Sequence, residues 1–198
     1  MPGSNGCGIG AGLYANVSNI VINGGNINAK SSNRYGIGSI EILDNLVING
    51  GNITAYGGEY GGAIGGANGS GEIVISGGNI NLENNSNYSG DDATLGNGCN
   101  SVKITGGNIR SFSKMGMGIG NYSTLPFKLD LQGGTVNVED RISSTPVNLE
   151  KGEFYLAKLK IEGVSANTKI TSVKTDNNIE YEADNLYTSR EGYLFMLM

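Results

Sequence analysis

The sequence predicts an all-β chain, a parallel β-solenoid, and three observations carry that prediction. First, the phrase from Ile20 to Ala29 (Ile-Val-Ile-Asn-Gly-Gly-Asn-Ile-Asn-Ala) is rewritten from Leu46, Ile73, Val102 and Leu129. The first glycine of each pair falls at 24, 50, 77, 106 and 133, giving steps of 26, 27, 29 and 27 residues. Self-similarity at a near-fixed period of this size marks a solenoid or an array. Second, aliphatic residues around each glycine pair alternate with polar ones, the period of a half-buried strand. Third, a Gly-Ile-Gly-like run recurs in phase with the corners, centred on Ile9, Ile37, Ile64, Leu95 and Ile119. Three short strands and three bends fit into about 27 residues, so residues 1–144 read as about five three-strand rungs.

The strand before each corner carries an aliphatic residue four and two positions ahead of the first glycine, as in Leu46 and Ile48. The strand after it carries one three positions on, as in Ile53, and all fifteen such positions are branched aliphatics. Their side chains line the inside of the rung, because successive strand residues point to opposite faces. The glycine pair makes the bend between the two strands, since glycine adopts the positive φ that a sharp corner needs. Stacking brings Asn26, Asn52, Asn79, Asn108 and Thr135 into one column, which predicts an amide ladder of the cross-β kind. On the outer side, Val21, Val47 and Val74 line up as an apolar strip, a candidate contact with a protein partner.

From about Ser143 the glycine pattern stops. Residues 145–198 read as a small antiparallel β module, with strands near 154–161, 168–175, 179–183 and 192–197. An open solenoid end exposes strand edges and core, so this module is expected to cap the stack.

Glycine, 34 of 198 residues, far exceeds the usual share of about 7%. Scarce proline and the lack of triplets exclude collagen. No run of 18 apolar residues exists, so no membrane-inserted helix is expected. Among residues 1–100 only Lys30 and Arg34 oppose seven carboxylates, so the whole net charge of −5 lies there. An acidic rod disfavours nucleic acid as a partner. Cys7 and Cys99 are expected as free thiols, since a stack disfavours bringing its first and fourth turns together. Met1-Pro2-Gly3-Ser4 lacks the features of a signal peptide, and the repeat begins mid-unit at Gly8, which suggests a piece of a longer chain.

Chemistry is expected on the loops that join the strand after each corner to the third run, at 30–35, 56–62, 83–92 and 112–117. All leave one edge of the rod and carry Tyr35, Tyr56, Tyr60 and Tyr88. A tyrosine combines a flat apolar face with a hydroxyl, which suits sugar rings; packing along the rod edge is the alternative. The longest loop holds Glu83, Asp91 and Asp92 among several amides, an oxygen-rich set of the kind calcium takes. A solvated polar loop is the alternative there.

Catalysis is not expected. The chain has no histidine, which removes His-based triads and His-ligated metals. A β-helical lyase would want clustered basic residues, and the repeat has few. No glycine string runs from a strand into a helix as a phosphate loop does.

The phrase Gly-Ile-Gly…Ile-x-Ile-x-Gly-Gly-x-Ile-x-Ala resembles the glycine-rich repeats of bacterial surface proteins of the carbohydrate-binding-domain type, over residues 8–138. The tail from Gly163 to Phe195 is similar to a module that follows such repeats. The resemblance implies a right-handed parallel β-helix, a secreted or cell-surface location and binding of polysaccharide. Ser89-Gly90-Asp91-Asp92 is similar to a Ser-Gly-Asp-Asp phrase of calcium-carrying, polysaccharide-binding β-helices. Asp91 and Asp92 match it, but Leu95-Gly96-Asn97 stands where that phrase continues with histidine and a third aspartate. The expected function is therefore a non-catalytic polysaccharide-binding module, calcium-assisted through Asp91, Asp92 and Glu83. The alternatives are a structural spacer or adhesin stalk and, third, a polysaccharide lyase or hydrolase.

Overall fold

The computed structural model describes residues 5–68, 71–86, 92–114, 116–121, 127–139, 156–161, 163–165, 168–174, 180–188 and 193–197. All regular structure among them is β-strand, and no helix among them is long and apolar enough to cross a membrane.

Five rungs follow one another. The first is β1 (Ile9–Ala11), β2 (Val17–Ile22) and β3 (Asn26–Lys30); the second is β4 (Ile37–Ser39), β5 (Leu43–Ile48) and β6 (Asn52–Gly57). The third holds β7 (Ile64–Gly66), β8 (Glu72–Ile75) and β9 (Asn79–Asn84); the fourth holds β10 (Ala93–Asn97), β11 (Ser101–Ile104) and β12 (Asn108–Ser113). The fifth is β13 (Met117–Ile119), β14 (Lys128–Leu131) and β15 (Thr135–Glu139). Each strand pairs in parallel with its equivalent one rung away, giving three five-stranded sheets, β1-β4-β7-β10-β13, β14-β11-β8-β5-β2 and β15-β12-β9-β6-β3. The chain is a parallel β-solenoid, as the repeat predicts.

The register follows the repeat residue for residue. Leu46 pairs with Ile73 and Ile53 with Ile80, so the aliphatic columns face one interior. Within it Leu46, Ile48, Ile73, Ile75, Ile80, Ile104 and Ile109 are fully buried. The predicted amide column also forms: Asn52 Nδ2 donates to Asn26 Oδ1 at 2.9 Å, Asn79 to Asn52 at 3.1 Å and Asn108 to Asn79 at 3.0 Å. A second ladder flanks the corner on its other side, where Asn49 Nδ2 donates to Asn23 Oδ1 at 2.8 Å. The second glycine of each corner has positive φ, from +85° at Gly134 to +104° at Gly51.

One irregularity reaches the loop edge. Leu95 pairs with Ile64 and Asn97 with Gly65, so Gly96 is an extra residue bulging between them. Such a bulge re-aims its neighbours, and it turns the Asn97 side chain inward.

Beyond the rungs, β16 (Leu156–Lys160), β17 (Lys169–Lys174), β18 (Glu180–Tyr187) and β19 (Tyr193–Leu197) follow. β16 pairs antiparallel with β19, and β17 with β18. β18 and β19 lie against β15, the last strand of its sheet, and β18 also lies against β12. Consistent with that cover, Asn137 on the outward side of β15 is fully buried. Cys7 and Cys99 are free thiols.

Candidate functional site

The loop edge is built by three connecting segments stacked like the strands they follow. Gly58 N donates to Arg34 O at 2.8 Å, Glu59 N to Ser32 O at 3.2 Å and Tyr60 N to Asn33 O at 2.9 Å. The second loop therefore lies flat on the first. A side chain at Gly58 would run into the Asn33 backbone, so this close approach needs glycine. Ser86 Oγ donates to Glu59 O at 2.7 Å and fixes the third loop to the second. Ser31 Oγ accepts from Arg34 N at 2.9 Å and donates to Gly6 O at 2.8 Å, which sets the first loop.

Between these loops opens a cleft of about 440 Å³, lined by Lys30, Ser31, Ser32, Tyr56, Gly57, Gly58, Glu59, Asn85 and Ser86. It sits beside one outward column of the third sheet, where Lys30, Tyr56, Glu83 and Phe112 stand in register. Lys30 Nζ lies 5.7 Å from the centre of the Tyr56 ring. Farther along the same two loops the Arg34 guanidinium lies 5.8 Å from the Tyr60 ring. Cation–π contacts at such distances are worth about 0.5–1 kcal/mol on a surface, enough to bias the orientation of a ring.

The structure divides the four predicted tyrosines. Tyr56 lines the cleft half-buried, and Tyr60 stands on the same edge, 47% exposed. Tyr35 does not join them: it is only 2% exposed, and its hydroxyl accepts a hydrogen bond from Asn97 Nδ2 at 3.1 Å. The bulge at Gly96 explains this, because it aims Asn97 inward and gives the buried phenol a polar partner. Tyr88 lies outside the described residues.

Of the three predicted calcium ligands, Glu83 is taken up by the chain itself. Its carboxylate lies 3.7 Å from Arg110 Nη1 and accepts from Asn81 Nδ2 at 3.0 Å. Asp92 Oδ1 accepts from Asn97 Nδ2 at 3.0 Å, and Asp91 lies outside the described residues. Among the described residues no three His, Cys, Asp or Glu side chains are grouped as a metal site.

The valine strip forms in register, with Val21 against Val47 and Val47 against Val74. Only Val21 is well exposed, at 57%, while Val47 and Val74 are half-buried. The column continues as Lys103 and Asp130, which approach to 3.8 Å.

Sequence reasoning passed over Lys30, Glu59, Asn85 and Ser86 as individual residues. One signal was available: Lys30 and Arg34 are the sole basic residues among the first hundred, and both fall in the first of these loops. Compared with protein-family models, curated proteins and solved structures, the chain matches none.

Proposed function

We propose that this chain is a non-catalytic polysaccharide-binding module whose site is the loop edge around Tyr56 and Tyr60. The observation that carries the reading is the cleft beside Tyr56, with Lys30, Glu59 and Asn85 at its wall. Its volume falls within the roughly 300–1,000 Å³ of small-ligand sites. An aromatic face, a cation and short hydroxyl and amide side chains together match a sugar ring, which offers apolar C–H faces and a rim of hydroxyls. Tyr60, four residues on in the same loop, gives an extended chain of sugars a second ring to rest on. Polysaccharides of this kind occur outside cells, so the reading places the module in a secreted or surface-exposed protein. Calcium enters it only through Asp91 and Asp92.

Affinity electrophoresis through gels cast with neutral and acidic polysaccharides tests this directly. The chain is expected to be retarded by at least one of them, and that polysaccharide should raise the thermal midpoint, because it binds the folded state alone. Tyr56→Ala should weaken binding about tenfold, the scale of one lost stacking contact, whereas Val21→Ser should leave it unchanged. Running both with millimolar calcium and with chelator reports the part played by Asp91 and Asp92. Unretarded migration in every gel, with and without calcium, overturns the proposal.

The spacer or stalk reading has its own observation: Leu13, Tyr14 and Val21, three of the four large exposed apolar residues among those described, lie on the first rung.

A further inference from the structure

The first rung ends the stack unlike any other described part of it. Among the described residues β1, β2 and β3 have a strand neighbour on one side only. Ile9, Val17, Ile20 and Ile27 pack on the core but stay partly exposed, whereas Ile37, Leu43, Leu46 and Ile53, their counterparts one rung on, are buried. Nearby, Tyr14 is 90% exposed at a φ of 64°. A positive φ is rare for a bulky residue and carries a local cost, so the turn holds that ring outward against its preference.

The backbone at the corner gives this end a direction. Asn49 N, Ser76 N, Thr105 N and Gln132 N each donate 2.8 Å back to the preceding rung, to Ile22 O, Ile48 O, Ile75 O and Ile104 O. Across the glycines, Asn52, Asn79, Asn108 and Thr135 do the same at 2.8 Å, to Gly25, Gly51, Gly78 and Gly107. Both amide ladders run the same way, Nδ2 toward the rung before. On the first rung, Asn23 and Asn26 therefore aim four donors, two backbone and two amide, out of the open end.

We infer that this end is a docking surface for one further rung of the same Gly-Gly-Asn repeat, running in the same direction. Such a rung supplies carbonyls where the donors point, amide oxygens for Asn23 and Asn26, and aliphatics to cover Ile9, Val17, Ile20 and Ile27. The contact is a parallel form of strand addition, in which main-chain bonds give affinity and side-chain columns give register. A second copy docked end to end does not fit, since it is antiparallel and brings the same donors to the corner. Nor does the last rung of another copy, because β18 and β19 already lie against β15. The inference stands apart from the polysaccharide reading and survives its failure.

The test places a second copy of residues 36–62 directly ahead of Gly8, so that the added rung enters in the register of the existing ones. Hydrogen exchange then reports on the corner. The amides of Asn23 and Asn26 should exchange fast in the parent chain and slow by about tenfold or more once the rung is added, because local opening then costs more. The thermal midpoint should rise with them. Unchanged exchange at both residues in a folded extended chain overturns the inference. Should the extended chain fail to fold, the parent decides: sedimentation velocity showing a monomer with fast Asn23 and Asn26 amides supports an open end, whereas a dimer that protects them overturns it in favour of a second copy.

Discussion

Burial acts on Cys99 in a way that titration can read. Its enclosure pushes the thiol up to about 12 from an ordinary 9.0, with a smaller opposing effect from a hydrogen bond to the Gly66 backbone. Between those values the unfolded chain has given up the proton and the folded chain has kept it. Stability tied to this group is whole below pH 9 and falls as pH rises above it, by up to about 1.4 kcal/mol per pH unit. Urea melts from pH 8 to 11 should therefore decline more steeply for the parent than for Cys99→Ala; parallel declines would show that the thiol is not enclosed. At this scale much was hidden from the sequence. Free thiols were legible from the stacking argument, but the inward turn of Tyr35 was not. It depends on a one-residue bulge at Gly96, and a bulge leaves no aliphatic signature, only steps of 31 and 24 between Ile64, Leu95 and Ile119. The pairing of Glu83 with Arg110, 27 residues on in sequence, was hidden for a related reason: it comes from the register of β9 on β12, which the loop's own composition does not contain.

The corner is the element that repeats most strictly, yet its second glycine meets different surroundings on the first rung and on the second. A Cβ on Gly25 would meet open space, while one on Gly51 would come within 2.7 Å of Gly25 O in the rung before. Both have positive φ, +96° and +104°, so either alanine pays the conformational cost of about 1 kcal/mol or somewhat more. Only Gly51→Ala adds a collision with backbone that cannot move without breaking the ladder. Gly51→Ala should thus lose about 2–4 kcal/mol and Gly25→Ala about half as much, read as the difference in urea unfolding free energy. Equal losses would mean that rung spacing at the corner is looser than the 2.8 Å bonds imply. Elements of this kind were legible because their constraint is local: two strands of alternating aliphatics around a bend that only glycine makes. The loops between β3 and β4 and between β6 and β7 were legible only as places where units differ. Their stacking comes from backbone bonds such as Tyr60 N to Asn33 O, which leave no side-chain pattern beyond the glycine that the close approach at Gly58 needs.

The molecule as a whole behaves as a row of rungs in which each is stabilised by its neighbours, so the value of one side chain depends on its place along the row. Ile75 lies mid-stack, fully buried, with Ile48 and Ile104 in register on either side. Ile20 belongs to the neighbouring inward column, that of Leu46 and Ile73, and at its end on the first rung it has only Leu46 in register beside it and stays partly exposed. Removing a fully enclosed aliphatic leaves a cavity that the two flanking rungs cannot close, whereas a half-open site loses contact area and admits water. Ile75→Ala should therefore lose about 3–5 kcal/mol and Ile20→Ala about 1–2 kcal/mol. The locations of the damage should differ as well. Ile20→Ala should speed exchange of amides in β1, β2 and β3 alone, since opening the end rung breaks one interface, while Ile75→Ala should speed exchange throughout, since no rung can part from the middle without splitting the row. Urea melts give the first comparison and residue-resolved hydrogen exchange the second. If the two variants lose equal stability, the first rung is as well covered as the third. That would also remove the open end on which docking of a further rung depends, and so one pair of substitutions tests the energetics of the stack and the premise of its extension together.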